Sequence, residues 1–278
     1  PLRGEVSISG AKNAVLPILA ATILADGPCV LEGVPDLRDL DTMVRILREL
    51  GVESSRPEPG VIVTEVVDAS RIRAPYELVK TMRASICVLG PLLGRRRRAE
   101  VSFPGGCVIG PRPIDLHVAG LEGLGAEMRV EGGYIFADGR HMKGCEVYLG
   151  GAYGPTVTGT ANVLMAAVLT PGTTVIEHAA CEPEIGDLGH FLVAMGAKIE
   201  GIGGPHLEVT GVDRLRGATH RVIADRIEAG TFMTAAAITH GDVTLRGADP
   251  SHLTAAIATL RRMGVTVERL PDGGLRVR

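Results

Sequence analysis

The segment LVAMGA, residues 192–197, places two large apolar residues three positions apart and follows them with glycine and alanine. Apolar residues with this spacing lie on one face of a helix. Glycine is typical just beyond a helix, where the backbone turns left-handed. The same pattern occurs three more times, and in each of the four segments the glycine is predicted to close a helix. The segments are Leu47–Val52, Leu121–Ala126, Leu192–Ala197 and Leu260–Val265.

The glycines of these segments lie 74, 71 and 68 residues apart, at Gly51, Gly125, Gly196 and Gly264. A strand–turn–strand pattern follows each of them. Glu131-Gly132-Gly133 and Asp272-Gly273-Gly274 have the composition of hairpin turns. A repeat near 70 residues is longer than that of the common solenoids, which favours a compact unit repeated four times.

A second recurring element precedes each segment and consists of a small-residue helix, a glycine turn and a strand. Examples are Ala20–Glu32, Ala166–Glu177 and Ala235–Arg246. Together the elements predict a βαβαββ unit. The helices expected at Asn13–Ala25 and Thr160–Leu169 are apolar almost all round, which indicates burial. The predicted fold class is therefore α/β, or α+β, with helices enclosed by sheets.

The composition is that of a folded, water-soluble chain. Of the 278 residues, 45% are hydrophobic and 22% charged, without tryptophan. The net charge of −3 gives no electrostatic reason to expect nucleic acid or a membrane surface. No apolar run reaches the roughly 18 residues of a membrane span, and no signal peptide opens the chain. Five singly spaced cysteines favour neither disulfides nor a metal site, so we expect a cytoplasmic protein without metal, cofactor or obligate protein partner.

One candidate anion site is the segment Ser9–Pro17, where Lys12 precedes a nearly all-apolar helix. Free N–H groups and positive potential at a helix N-terminus, together with a lysine, suit a phosphate or carboxylate. The alternative is an exposed lysine in a turn, with Asn13 capping the helix.

A second candidate is Phe103–His117, where Cys107 lies among glycines and prolines. This composition predicts an exposed loop. Arg112 could lower the thiol pKa, because a nearby cation favours thiolate, and the thiol could then act as a nucleophile or a proton donor. The alternative is an ordinary surface cysteine. For Cys87, Cys145 and Cys181, beside apolar elements, we expect a role as buried filler.

Other charged residues have simpler interpretations, apart from Arg83. Arg83 lies just ahead of an apolar helix, opposite to the preference of the helix dipole, and is a candidate for anion binding. The run Arg95–Arg98 is expected to be a solvated connection. Helix capping accounts for Asp225 and for a group of three earlier carboxylates, Asp36, Asp39 and Asp41.

Five segments in order resemble the UDP-N-acetylglucosamine enolpyruvyl transferases. They are Gly10–Asn13 (GAKN), Lys80–Ser85 (KTMRAS), Pro104–Pro113 (PGGCVIGPRP), Glu182–Ile185 (EPEI) and Asp225–Phe232 (DRIEAGTF). The resemblance implies an inside-out α/β barrel of two domains, each of three βαβαββ units. Residues 10–223 would form one complete domain. Residues 1–9 and 224–278 would form part of the second.

The resemblance implies transfer of the enolpyruvyl group of phosphoenolpyruvate to the 3-hydroxyl of UDP-N-acetylglucosamine, which begins peptidoglycan synthesis. Cys107 would be the catalytic general acid and covalent nucleophile, and the site of fosfomycin attachment. Lys12, Asn13 and Arg112 would bind phosphoenolpyruvate. The UDP-sugar contacts would be Arg83, Arg112, Pro113, Ile114, Asp115 and Leu116.

The sequence departs from the family pattern in two places, and two alternative functions remain open. The family's second nucleotide loop corresponds here to Val157-Thr158-Gly159, after an apparent insertion at Gly150–Pro155. The family's catalytic aspartate and two further arginines would follow Arg278, so we expect this sequence to be an incomplete enzyme. The related enzyme acting on shikimate 3-phosphate is one alternative, although it typically lacks the loop cysteine. A non-catalytic UDP-sugar-binding paralogue or fragment is the other.

Overall fold

The structure is a computed structural model that describes residues 1–105, 113–152, 154–271 and 273–278. Its strands are β1 Arg3–Ser7, β2 Ala25–Asp26, β3 Cys29–Glu32, β4 Val52–Ser55, β5 Val61–Val66, β6 Arg73–Ala74, β7 Arg98–Ser102, β8 Glu127–Glu131, β9 Tyr134–Asp138, β10 Glu146–Tyr148, β11 Gly150–Gly151, β12 Gly154–Pro155, β13 Thr173–Glu177, β14 Lys198–Glu200, β15 His206–Thr210, β16 Leu215–Arg216, β17 Thr219–Arg221, β18 Asp242–Arg246, β19 Val267–Arg269 and β20 Leu275–Val277.

The helices alternate with these strands along the chain. They are α1 Lys12–Ala21, α2 Arg38–Glu49, α3 Tyr76–Val79, α4 Leu89–Arg96, α5 Asp115–Gly123, α6 Val157–Ala167, α7 Pro183–Met195, α8 Arg226–Ile238 and α9 Thr254–Arg262. Short 3₁₀ helices cover Thr22–Leu24, Arg83–Val88 and Pro250–Leu253.

Four sheets share one topology, which confirms the predicted fold class. Their strand orders are β17-β3-β5-β4, β6-β7-β9-β8, β10-β13-β15-β14 and β1-β18-β20-β19, and we call the corresponding units I to IV. In every unit the first two strands pair in parallel and the other pairings are antiparallel. A helix joins the parallel strands of units II and III and another precedes the hairpin, so each is a βαβαββ unit.

The repeat glycines end the second helix of each unit. Gly51, Gly125, Gly196 and Gly264 have φ angles of +74°, +92°, +109° and +88°. A side chain in this conformation is strained, so glycine is the preferred residue. At Gly51 a Cβ would also lie 2.1 Å from the carbonyl oxygen of Asp68. The repeated glycines in the sequence therefore mark positions where the backbone must be left-handed.

Two helices, α1 and α6, are enclosed as predicted. The side chains of Ala14–Ala21 in α1 are at most 2% exposed, apart from the buried Pro17, and Gly159–Ala167 of α6 is buried throughout. Their bounds differ from the expected ones. The first buried helix ends at Ala21 and continues as 3₁₀ helix into β2. The helix α6 starts at Val157 because the Thr156 side chain caps it by accepting the Gly159 N–H.

Two strands cross between units. The first strand leads into α1 of unit I but pairs with β18 of unit IV, while β17 leads into α8 of unit IV but pairs with β3 of unit I. The two segments that connect the units meet at Gly10 and Ala224, which form an antiparallel bridge. One hydrophobic core draws on residues 11–222 and a second on residues 229–277 with Val6 and Ile8. These cores support the domain division at residues 10–223, which stays a prediction.

The expectation of a solvated connection at Arg95–Arg98 is wrong for two of its arginines. Arg96 and Arg97 are partly buried and donate to the carbonyl oxygens of Arg71 and Leu169. Burial lowers the pKa of the Arg96 guanidinium to about 10 and also lowers that of Arg97. Arg97 adopts a left-handed conformation at the reversal from α4 into β7, and both side chains lie against neighbouring segments.

Candidate active site

The first turns of several helices face one cleft of about 400 Å³. The cleft lies at the N-terminal ends of α1, α6, α7 and α8 and of the 3₁₀ helix that begins at Arg83. The positive ends of the helix dipoles are concentrated there, which suits an anionic ligand. Its lining comprises Lys12, Asn13, Leu16, Pro17, Asp39, Thr81, Met82, Arg83, Ala84, Cys87, Val157, Thr158, Ala161, Glu182, Glu184, Ile185 and Arg226.

Lys12 and Asn13 both line this cleft from the first turn of α1. The Lys12 ammonium lies 3.4 Å from the Asp39 carboxylate, and the two side chains are 43% and 42% exposed. An ion pair this exposed is weak, so an anion can compete with Asp39 for Lys12. Asn13 is exposed and does not cap the helix, because Ala11 holds the N-cap position.

The capping role expected for Asp36, Asp39 and Asp41 is wrong. The N-cap of α2 is Leu37, without a side-chain hydrogen bond. Asp39 pairs with Lys12 instead, while Asp36 and Asp41 pair with Arg56. The fourth carboxylate behaves as predicted, since Asp225 accepts the N–H groups of Ile227 and Glu228 at the start of α8.

Arg83 lies in the cleft as well and donates to the carbonyl oxygen of Pro113 at 3.4 Å. This contact brings the predicted UDP-sugar segment next to Arg83. Ile114 is buried and immediately precedes α5, and Asp115 and Leu116 occupy the first turn of that helix. None of Pro113–Leu116 is part of the cleft lining itself, and their role stays a prediction.

Cys107 and Arg112 lie outside the described residues. The described neighbours on either side are Gly105 and Pro113. Gly105 donates its N–H to the carbonyl oxygen of Val79, and a Cβ on it would lie 2.1 Å from the carbonyl oxygen of Lys80. Pro113 contacts Arg83. Both flanking residues are therefore packed against the Lys80–Ser85 motif beside the cleft.

Three of the remaining cysteines are buried or partly buried, which disfavours the thiolate form. Burial raises the pKa of Cys29, raises that of Cys87 to about 12, and also raises that of Cys145. Cys87 lines the cleft but is 1% exposed. Cys181 is exposed, so the expectation that it is a buried filler is wrong. Over the described ranges, no group of three or more His, Cys, Asp and Glu could hold a metal.

A buried polar group behind the cleft escaped sequence reasoning. His117 is 1% exposed. Its Nε2 lies 3.0 Å from the Thr158 hydroxyl and its Nδ1 lies 2.9 Å from the side-chain amide of Asn162. Burial, assisted by the Arg83 charge, lowers the pKa of His117 to about 4. The available signal was Asn162 itself, a polar residue within an apolar helix.

A buried ion pair joins the two cores at the edge of the cleft. Glu184 of α7 is 3% exposed. Arg226 of α8 donates to its two carboxylate oxygens at 2.9 and 3.2 Å. This two-pronged geometry fixes the relative position of the helices. The pair was also missed, although both residues fall within motifs noted in the sequence.

Residues 1–278 match the EPSP synthase (3-phosphoshikimate 1-carboxyvinyltransferase) family, and the chain belongs to that family. The chain is also similar to solved structures. The enolpyruvyl transferase NikO from Streptomyces tendae shares 21% sequence identity with a TM-score of 0.84, over 99% of this chain and 65% of that one. An EPSP synthase from Acinetobacter baumannii shares 22% identity with a TM-score of 0.74, over 99% of this chain and 64% of that one.

The chain thus spans slightly less than two thirds of the length of these structures. At these identities the likeness concerns the fold. In the described part of the chain, no helix has the length and apolarity needed to span a bilayer.

Proposed function

We propose that this protein takes part in transferring the enolpyruvyl group of phosphoenolpyruvate to the 3-hydroxyl of UDP-N-acetylglucosamine, with release of phosphate. The observation that carries the proposal is the meeting of Lys12, Asn13 and Arg83 in one cleft at the N-terminal ends of buried helices. These residues come from separate motifs, and both substrates are anionic. The proposed setting is the cytoplasm of a bacterium, at the start of peptidoglycan synthesis for the cell wall.

The phosphoenolpyruvate site is assigned to Lys12 and Asn13, with Arg112. Lys12 supplies a cation and α1 supplies the N-terminal end of a helix dipole, and both stabilise negative charge. During reaction the sugar hydroxyl gives up its proton and its oxygen adds to C2 of phosphoenolpyruvate while C3 gains a proton. Phosphate then leaves C2 of the tetrahedral adduct as C3 loses a proton, which restores the C2–C3 double bond. Cations fixed around the phosphate and carboxylate stabilise that adduct.

Cys107 is assigned as the general acid and nucleophile toward phosphoenolpyruvate. The support is the motif Pro104–Pro113 and the packing of its described flanks, Gly105 and Pro113, against Lys80–Ser85. The buried Cys87 thiol in the cleft is unsuited to this role, because its pKa of about 12 leaves it protonated at neutral pH.

The choice of acceptor rests on Cys107 and on the sequence Ala11-Lys12-Asn13. The family name is that of a carboxyvinyl transferase acting on 3-phosphoshikimate, so the transferred group is common to both candidate reactions. The acceptor differs between them. The contact between Arg83 and Pro113 brings the two segments assigned to the acceptor next to each other, as a single acceptor site requires.

Fosfomycin labelling tests the proposal. We expect one adduct on Cys107, located by peptide mass mapping. UDP-N-acetylglucosamine should raise the rate of adduct formation, and shikimate 3-phosphate should leave that rate unchanged. Cys107→Ser should abolish the adduct. Cys181→Ser is the matched control, because Cys181 is an exposed thiol next to the cleft residue Glu182. Acceleration by shikimate 3-phosphate instead would move the assignment to the alternative acceptor, and an adduct on Cys181 alone would contradict the role of Cys107.

A further inference from the structure

Behind the cleft, the orientation of the Asn162 side chain is fixed by two backbone groups of neighbouring segments. Its Oδ1 accepts the Gly90 N–H at 2.7 Å, and its Nδ2 donates to the carbonyl oxygen of Ile86 at 3.0 Å. The reversed amide would set donor against donor and acceptor against acceptor. A Cβ at position 90 would lie 2.1 Å from the Asn162 carbonyl oxygen, so α4 and α6 touch here and the amide cannot turn away.

The Asn162 amide in turn determines which nitrogen of His117 carries the proton. The second hydrogen on Nδ2 points to His117 Nδ1 at 2.9 Å, so Nδ1 must accept. A neutral imidazole that accepts at Nδ1 carries its proton on Nε2. That N–H therefore donates to the Thr158 hydroxyl oxygen at 3.0 Å. The low pKa of His117, about 4, keeps the ring in this single-proton form at neutral pH.

Thr158 consequently receives a hydrogen bond from the protein and has its own proton left to give. Among the described residues, that hydroxyl proton has no hydrogen-bond acceptor. Thr158 lines the cleft together with Arg83 and lies in the first turn of α6, where backbone N–H groups lack helical partners.

We propose that His117 and Asn162 are positioning residues that direct the Thr158 hydroxyl proton away from His117, so that it donates to a phosphate oxygen of the substrate. The inference rests on the proposed function, which places a phosphate-bearing ligand in this cleft. A phosphate oxygen is an acceptor without a proton to offer, so it matches a hydroxyl whose proton is available. The phosphate belongs to either the sugar nucleotide or phosphoenolpyruvate.

The tautomer is measured first, by nitrogen-15 NMR of the His117 ring in the unliganded chain. We expect Nε2 protonated and Nδ1 unprotonated at pH 7. Asn162→Asp is the reversing variant, because a carboxylate can only accept from Nδ1, which moves the ring proton and turns Thr158 into a donor toward His117. A proton on Nδ1 in the unmodified chain overturns the proposal without any reference to substrate.

Binding is measured next, by calorimetry with UDP-N-acetylglucosamine, phosphoenolpyruvate and pyrophosphate as separate probes. Thr158→Val, which keeps the shape and removes the hydroxyl, should weaken binding of one substrate about ten-fold or more, the usual effect of losing a hydrogen bond to a charged group. Thr158→Ser, which restores the donor, should stay within about three-fold of the unmodified chain. The substrate affected identifies which phosphate Thr158 contacts.

The outcomes separate this inference from the proposed function. Substrate binding that Thr158→Val leaves within two-fold overturns the inference and leaves the function intact. Pyrophosphate binding that depends on Thr158, without binding of either substrate, supports the donor and contradicts the proposed substrates. Failure of all three probes to bind overturns both.

Discussion

The carboxylate of Asp225 accepts the backbone N–H of Lys12 at 3.2 Å across 213 residues of sequence. The same carboxylate caps α8 by accepting the N–H groups of Ile227 and Glu228. One side chain therefore serves the first turns of two helices, one from each hydrophobic core. Because Lys12 is the proposed phosphate ligand, the capping of α8 and the position of the anion site depend on a single residue.

Replacing Asp225 should therefore cost more than the loss of an ordinary cap. We expect Asp225→Ala to lower the free energy of unfolding by about 2 kcal/mol, from one lost cap and one further lost hydrogen bond. Asp249→Ala is the control, since Asp249 caps only the 3₁₀ helix at Pro250–Leu253, and it should cost about 1 kcal/mol or less. Urea unfolding measures both. Equal losses would mean that the link to Lys12 contributes nothing.

The stability of the protein should fall as the pH drops through the range in which His117 gains a proton. Its folded-state pKa of about 4 lies below the ordinary value of 6.5, so the unfolded chain binds the proton more readily. The contribution is fully present above pH 6.5 and is lost between pH 6.5 and 4, by about 3 kcal/mol.

Urea unfolding of the unmodified chain and of His117→Asn across this pH range isolates that contribution. The variant should show a shallower fall in stability. His190→Asn, a substitution of an exposed histidine on α7, should follow the unmodified chain. Parallel curves for all three proteins would exclude His117 as the titrating group.

Asp39 should act as a competitor for the Lys12 ammonium. Removing its charge by Asp39→Asn should tighten phosphoenolpyruvate binding by up to about five-fold, because an exposed pair contributes at most about 1 kcal/mol. Lys12→Ala should weaken binding more than ten-fold. Asp41→Asn is the matched control, two residues along the same helix and paired with Arg56. Calorimetry in low salt gives the three affinities, and a gain with Asp41→Asn as large as with Asp39→Asn would indicate a general charge effect.

The Glu184–Arg226 pair should show strong coupling. Arg226→Met leaves the buried carboxylate unpaired and should cost about 2–4 kcal/mol, reduced from the fully buried case because Arg226 is 31% exposed. Adding Glu184→Gln removes the charge and should recover most of the loss. A double-mutant cycle by urea unfolding measures the coupling. Additive losses would show that the two side chains act independently.

The repeated unit was predictable because its signals are local. Glycine occurs at positions 51, 125, 196 and 264 because the backbone is left-handed there, and this requirement depends only on the neighbouring residues. The partners of β1 and β17 were not readable from local pattern, since each short strand pairs with a distant segment. The prediction that Asp39 caps a helix was wrong for a related reason. Asp39 has the sequence position of a cap at the start of α2, but its partner is Lys12 at the start of α1, with β2 and β3 between the two helices.

The charged residues of the candidate site were predictable from the sequence, but the buried polar residues behind it were not. Lys12 and Arg83 stand out by charge beside apolar helices, and the structure places both in the cleft. The group behind it did not stand out, because His117, Asn162 and the Ile86 carbonyl come from three different elements. Hydrogen bonds between distant segments leave no periodic trace in a sequence. An isolated polar residue such as Asn162 in a buried helix is the signal to look for.

The crossing of β1 has a consequence for the order in which the protein can be made. Its partner β18 begins at Asp242, which pairs with Arg3. At about 5–20 residues per second, a ribosome needs on the order of 10–50 s to reach that partner. Units II and III have all their strands available before β18 is synthesised, and unit I is completed when β17 emerges. The strand β1 is thus synthesised well before its partner, and until β18 emerges it is an unpaired strand that can pair with the wrong neighbour.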